Sequence, residues 1–320
     1  MVLLHAFDYL IAPTIEFAHF CRGFRYKRTT VAAFDWHYIQ REGSASQTTE
    51  PVVFVHGFSS WKGSWVKTAS LVDEKYQVVI PDMPGHGRTE PKDHLAGYGA
   101  NEQAQRLHVF MENAIEPEQK VHLVGVSMGG LIAGVYAAMY PDRVRSLTLI
   151  CAAGLTMPQK SNAYKLMENS VSNPLLPRTA DEIIELTSYM SHRPKFPRFL
   201  APILAAFRER NFKTDEMIFN DMTAKPTLLE DYLPHIRART LLMWGKNDRI
   251  LDPSSLSVLD EKITNPEAKY ILPIDECGHM LHFEQSEVCA NAINAFIHGE
   301  DPTSVVEAFR SASSKADIQR

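Results

Sequence analysis

A mainly parallel α/β sheet with helices on both faces and a long helical insertion is the fold class this sequence predicts. Three observations lead there. Short β-rich runs alternate with helical stretches from about residue 29 onward, as parallel strands joined by helical crossovers require. Two of these runs, Val52–Val55 and Val121–Val126, show almost no polar alternation, which marks central strands covered on both faces. Between Gly154 and about Ile236 the alternation stops, and helical stretches broken by Pro158, Pro174, Pro177, Pro194, Pro197, Pro202 and Pro226 replace it. A structureless loop of that length does not fit a compact domain, so the segment reads as a helical cap.

Eight strands are predicted. Val31–Phe34 and Trp36–Gln40 open the sheet as a pair, followed by Val52–Val55, Gln77–Ile80, Val121–Val126, Leu147–Cys151, Thr240–Trp244 and Lys269–Leu272. Ala100–Ile115, Met128–Met139 and Pro253–Lys262 read as crossover helices. The expected division is a core of residues 29–154 and 237–298, a cap of residues 155–236, and a polar tail of residues 299–320.

Residues 1–28 form an expected fourth unit. Leu3, Phe7, Leu10 and Ile11 share a helical face opposite Asp8, the pattern of a helix lying in a bilayer interface. His5, Asp8, Pro13, Glu16 and His19 interrupt the apolar stretch and argue against a membrane span. No Lys or Arg precedes Arg22, whereas a secretory signal carries its positive charge before the apolar part. Arg22, Arg25, Lys27 and Arg28 form a basic cluster that anionic headgroups would attract.

The 320 residues carry a net charge of −5, which argues against a nucleic-acid partner, since phosphate binding needs a basic surface. Cys21, Cys151, Cys277 and Cys289 lack the spacing of a zinc site or a disulfide framework. Neither a metal nor a cofactor is expected. Unpaired cysteines fit a reducing compartment, so the expected location is a membrane surface facing the cytoplasm.

The chemistry centres on Gly125-Val126-Ser127-Met128-Gly129, set between a buried strand and a helix. A serine hydroxyl is a weak nucleophile and must be exposed beside a base and near donors for the developing oxyanion. A sharp strand-to-helix turn presents it there, and small flanking residues relieve the crowding. A phosphate loop is excluded because no Gly-Lys-Ser/Thr follows. His56-Gly57-Phe58 ends the Val52–Val55 strand, which makes the amides of Phe58 and Met128 the expected oxyanion donors. His279, in Cys277-Gly278-His279 after the last strand, is the expected base, with His282 as its competitor. Asp248 follows Thr240–Trp244 and is the expected acid. Asp252 reads as a helix N-cap before Pro253, and Asp275 is a weaker rival. Asp82 and His86, in Asp82-Met83-Pro84-Gly85-His86-Gly87, read as shapers of a tight loop.

The stretches Val55-His56-Gly57-Phe58-Ser59, Asp82-Met83-Pro84-Gly85-His86, His122-Leu123-Val124-Gly125 and Ser127-Met128-Gly129-Gly130 resemble the α/β-hydrolases of the monoacylglycerol lipase type. So do Ala133-Gly134-Val135-Tyr136-Ala137-Ala138, Ala153-Gly154-Leu155, Trp244-Gly245-Lys246 and Cys277-Gly278-His279. The resemblance runs from about residue 29 to 298 and is loose through the cap. It implies Ser127, Asp248 and His279 as a catalytic triad and hydrolysis of a long-chain lipid ester, most simply a monoacylglycerol. Gly87-Arg88-Thr89 departs from the serine-bearing end usual for that loop.

Apolar cap residues, among them Met157, Leu166, Met167, Met190, Phe196, Phe199, Phe207, Met217 and Phe219, are expected to line the acyl-chain pocket. Two other readings stay open at this stage. One is a carbon–carbon bond hydrolase of aromatic ring-cleavage products using the same triad, and the other is a silent ligand-binding protein on this fold. The oligomeric state is left open.

Overall fold

One sheet holds β1 (Arg25–Val31), β2 (Phe34–Arg41), β3 (Val52–Val55), β4 (Val78–Pro81), β5 (Val121–Val126), β6 (Val144–Ile150), β7 (Arg239–Gly245) and β8 (Lys269–Ile274). Their order is β1-β2-β4-β3-β5-β6-β7-β8. This is a computed structural model, and it describes residues 18–31, 33–44, 50–90, 97–169 and 173–318. The hairpin β1–β2 and the β2–β4 pair are antiparallel, and every pair from β4 through β8 is parallel.

All residues of β3 and β5 are buried, so both faces of the sheet centre are covered, as their unbroken apolar character requires. Helices α1 (Ala100–Ala114) and α2 (Met128–Met139) pack on each other, with α2 also against β3, β5 and β6. Between β6 and β7, among the described residues, lie α3 (Asn162–Asn169), α4 (Ala180–Met190), α5 (Ala201–Thr223) and short 3₁₀ turns, with no strand. Helix α6 (Ser255–Lys262) joins β7 to β8. Helices α7 (Ser286–His298) and α8 (Pro302–Ile318) pack together, and α8 also lies against β8. The expected polar tail is therefore largely helix, anchored by buried Val306.

After β3 the chain builds β4 on one side and β5 on the other. Such a reversal of strand order opens a crevice at the carboxyl ends of the two flanking strands. Gly57 follows β3 and Ser127 follows β5, so both stand at that crevice.

The opening pair differs from expectation. The first strand is Arg25–Val31, and the expected run Val31–Phe34 straddles the hairpin turn, where Ala33 has φ 62°. β1 is an edge strand whose side chains are mostly exposed, so its run of Arg, Tyr, Lys and Thr lacks the apolar alternation that announces a half-buried strand. Three of the four basic residues thus belong to the sheet, and a unit ending at residue 28 cuts through β1. Arg28 pairs with Asp35 at 2.8 Å and Lys27 with Glu42 at 3.5 Å. The expected amphipathic face of Leu3, Phe7, Leu10 and Ile11 lies outside the described residues. No described helix is long and apolar enough to cross a membrane. All four cysteines are free.

Candidate active site

Ser127 adopts φ 56° and ψ −121° between β5 and α2. A non-glycine residue at positive φ is uncommon and is held in place by its surroundings. Here its N–H donates to the Ile150 carbonyl at 3.0 Å, and its own carbonyl accepts from Gly130, Leu131 and Ala153. The turn is so tight that a Cβ on Gly129 would collide with the Val55 carbonyl, and one on Gly57 would stand 3.3 Å from the Ser127 Cβ. These two glycines let the β3 loop close on the serine.

Met128 follows Ser127 directly at the start of α2, and no hydrogen bond from the Phe58 or Met128 N–H is found among the described residues. For Met128 the reason is general, because the first amides of a helix have no intrahelical carbonyl to reach. Phe58, Ser127 and Met128 all line one pocket.

Asp248 and His279 meet at the same sheet edge. His279 Nδ1 donates to Asp248 Oδ2 at 2.7 Å, with both residues buried. Asp248 Oδ1 accepts from the Ile250 and Leu251 amides at 2.8 and 3.0 Å, which leaves Oδ2 for the imidazole. Ile250 and Leu251 line the pocket that holds Ser127. The histidine loop rests on α4, where the Met280 amide donates to the Met190 carbonyl at 3.1 Å.

Cys151, Asp248 and His279 bring ligand-type atoms within 4.8 Å of one another. Burial and the Asp248 carboxylate push the Cys151 thiol well above its ordinary range. With Nδ1 already given to Asp248, the group offers neither a thiolate nor that nitrogen, and its donor set suits a hydrogen-bonded pair better than a metal site.

The rivals sit elsewhere. His282 is buried against Trp65 at 4.5 Å between ring centroids, and burial with the nearby His279 pushes its pKa down to about 3. Asp275 is exposed and pairs with Lys246 at 2.7 Å, which holds its carboxyl below the usual range. Asp252 accepts from the Ser254 amide at 2.9 Å, and α6 begins at Ser255, two residues later than a cap at Asp252 would place it.

Asp82 is fully buried. It accepts from the Lys62 amide at 2.7 Å, the Lys62 ammonium at 2.5 Å and the Arg88 amide at 2.9 Å. The departure at Gly87-Arg88-Thr89 has a physical account: Thr89 is buried, and its hydroxyl accepts the His37 amide at 3.0 Å while its carbonyl accepts Gly85 at 3.0 Å. The threonine ties the loop to β2.

Of the nine named pocket candidates, Phe219 alone lines the pocket beside Ser127. Phe199 is 77 % and Met217 50 % exposed, Phe196 packs with Ile183 and Ala201, and Met157 Sδ accepts the Asp252 amide. The pocket walls are Phe58, Met128, Leu131, Leu175, Phe219, Met222, Ile250 and Leu251. Helix phase explains the exchange: on α5, residues 215, 218, 219 and 222 share a face, and position 217 points away from it. Residue 215 is an aspartate within that apolar stripe, buried to 5 % exposure. Its Oδ2 accepts the Ser59 hydroxyl at 2.6 Å and faces Arg208 Nη1 at 3.3 Å. Burial raises its pKa against the pull of both partners. Neither Asp215 nor Lys62 was singled out from sequence, although a charge inside an i, i+3, i+4, i+7 apolar stripe is a readable signal.

Comparison with known proteins agrees with this fold. A family model described as the alpha/beta hydrolase fold matches residues 50–286. Monoacylglycerol lipase ABHD6 of Rattus norvegicus is 32% identical over 257 residues, 77% of this chain and 74% of that protein. Lipase 3 of Moraxella sp. (strain TA144) is 30% identical over 79% of this chain and 78% of its own length. A crystal structure of a membrane phospholipase A, a bacterial virulence factor, superposes with a TM-score of 0.81 at 30% identity, covering 93% of this chain and 95% of that one. Sheet order, the serine turn and these matches together place the chain in the α/β-hydrolase family.

Proposed function

We propose that this serine esterase hydrolyses long-chain acyl esters of glycerol, monoacylglycerol foremost, with Ser127 as nucleophile, His279 as base and Asp248 as the group that orients it. The observation that carries this reading is the buried Asp248–His279 hydrogen bond of 2.7 Å at the sheet edge that bears Ser127 on its positive-φ turn. The names of the relatives favour ester hydrolysis over carbon–carbon cleavage or silent binding.

In this mechanism His279 Nε2 takes the Ser127 proton as Oγ attacks the ester carbonyl. The Phe58 and Met128 amides hold the oxyanion, and Asp248 stabilises the imidazolium. His279 then protonates the glycerol oxygen as the C–O bond breaks. It next takes a proton from water, whose oxygen attacks the acyl-enzyme, and returns that proton to Ser127 Oγ as the acyl–oxygen bond breaks and the fatty acid leaves. The apolar walls given by Leu131, Leu175, Phe219 and Met222 suit an acyl chain. In this reading residues 155–236 are the cap over the crevice.

The protein works at a membrane surface on the cytoplasmic side, held by residues before the sheet and by apolar side chains exposed on the cap, such as Phe199 and Met217. A second reading, phospholipase A activity, is favoured by the fit to the membrane phospholipase A structure. Hydrolysis of matched vesicles carrying monoacylglycerol, diacylglycerol, lysophospholipid or phospholipid separates the two. Monoacylglycerol is expected to be consumed fastest. Faster release of fatty acid from phospholipid would replace the first reading with the second.

A further inference from the structure

Helix α5 grips the loop that carries Phe58 at two adjacent points. The Phe219 ring meets the Phe58 ring at 5.8 Å between centroids. One turn earlier on the same face, Asp215 accepts the Ser59 hydroxyl at 2.6 Å. Ser59 itself stands at φ 48°, a region that side-chain-bearing residues occupy only when surrounding contacts hold them there. Burying an aspartate in an apolar stripe is costly unless it is fully bonded. Arg208, two turns back on the helix, supplies the second partner.

We propose that Asp215 is a positioning residue: by holding the Ser59 hydroxyl from the cap, it fixes the Phe58–Ser59 turn and aims the Phe58 amide at the ester oxyanion. The inference rests on the assignment of Phe58 as an oxyanion donor. Its consequence is that the oxyanion site is complete only while α5 is seated. A lipid surface that lifts the cap to admit substrate also loosens that donor, and reseating restores it.

The test is steady-state hydrolysis of a soluble short-chain ester by the full chain and its variants. Ser59→Ala and Asp215→Ala each lose kcat on the order of 10- to 100-fold, the scale of a small misplacement of a reacting group, with little change in KM. The double variant is no worse than either single one, because both remove one link. Asp215→Asn keeps an acceptor for Ser59 and retains most of kcat, which guards against a variant that fails merely by unfolding. Asp221 lies on the same helix and accepts the Tyr98 amide at 2.6 Å. Asp221→Ala is expected to lower the melting temperature and leave kcat in place. A folded Ser59→Ala enzyme with wild-type kcat, additive losses in the double variant, or an equal kcat loss in Asp221→Ala would each overturn the proposal. Activity retained in Ser127→Ala would sink the active-site assignment itself, whereas a Ser127-dependent enzyme with unaltered kcat in Ser59→Ala sinks the positioning role alone.

Discussion

Two strand-end loops on this sheet each carry a buried aspartate, and their chemistry differs because of what surrounds the carboxylate. After β4, Asp82 is bonded to the Lys62 amide and ammonium and to the Arg88 amide. After β7, Asp248 spends one oxygen on the Ile250 and Leu251 amides and leaves the other to the His279 imidazole. The first carboxylate closes a loop around a cation that cannot leave. The second faces an imidazole, whose other ring nitrogen is left free of the carboxylate. Burial alone therefore does not separate a loop-closing aspartate from a candidate triad member; the chemistry of the partner side chain does.

The largest expected effect tests whether the Asp248 side of this contrast belongs to a catalytic unit. Ser127→Ala should lower kcat by about 10⁶-fold, with His279→Ala nearly as damaging and the double variant no worse, since the members act together. Single-turnover kinetics and fluorophosphonate labelling measure this. Activity surviving in His279→Ala but not in a folded His282→Ala would move the base to His282.

Next comes the pair of aspartates themselves. Asp248→Asn should cost about 10⁴-fold in kcat, because the amide favours the wrong imidazole tautomer. Asp82→Asn leaves the buried Lys62 ammonium uncompensated and should cost about 3–5 kcal/mol of stability, with kcat per folded molecule nearly intact. Urea unfolding beside kcat for both variants checks the contrast. A stability loss in Asp248→Asn with kcat preserved would reverse it.

Much of the reactive side was legible in the sequence because its constraints are local. The serine turn needs Gly129 against the Val55 carbonyl and Gly57 against Ser127 itself, so the steric problem appears as small residues at fixed spacing. The β1 strand was misplaced because an edge strand with solvated side chains has no apolar period to read. On α5 the sequence pointed to Phe219 but equally to Met217, and it missed Met222, for a different reason. Met217, Ile218, Phe219 and Met222 lie close together on that helix, and only the helix phase set by Ile218 against Gly85 and Phe219 against Phe58 tells Phe219 and Met222 from Met217. Asp82 was read as a loop former, but its buried cation Lys62 sits 20 residues away in sequence, beyond any local pattern.

The smallest expected effect concerns a histidine of the structural kind. His282 has its pKa pushed down to about 3 by burial, so the folded protein keeps it neutral while the unfolded chain protonates it near 6.5. The stability tied to its neutral form is complete above pH 6.5 and is lost as pH falls toward 3. In His282→Asn, which cannot titrate, the melting temperature should fall less steeply with acid, so the gap to the wild type narrows between pH 7 and 5. A gap of constant width would show that His282 stays out of the acid response.

The strand order also carries a consequence for biosynthesis. Ser127 ends a central strand, but Asp248 and His279 end the last two strands to leave the ribosome. A nascent chain that has folded through β6 displays the serine turn without its base. Domains fold as their residues emerge, and a parallel sheet closes only when its distant strands meet. On the proposed triad the chain gains its hydrolytic competence in a single late event, when β7 and β8 dock, and a translation product that stops short of residue 279 is expected to be inert toward esters.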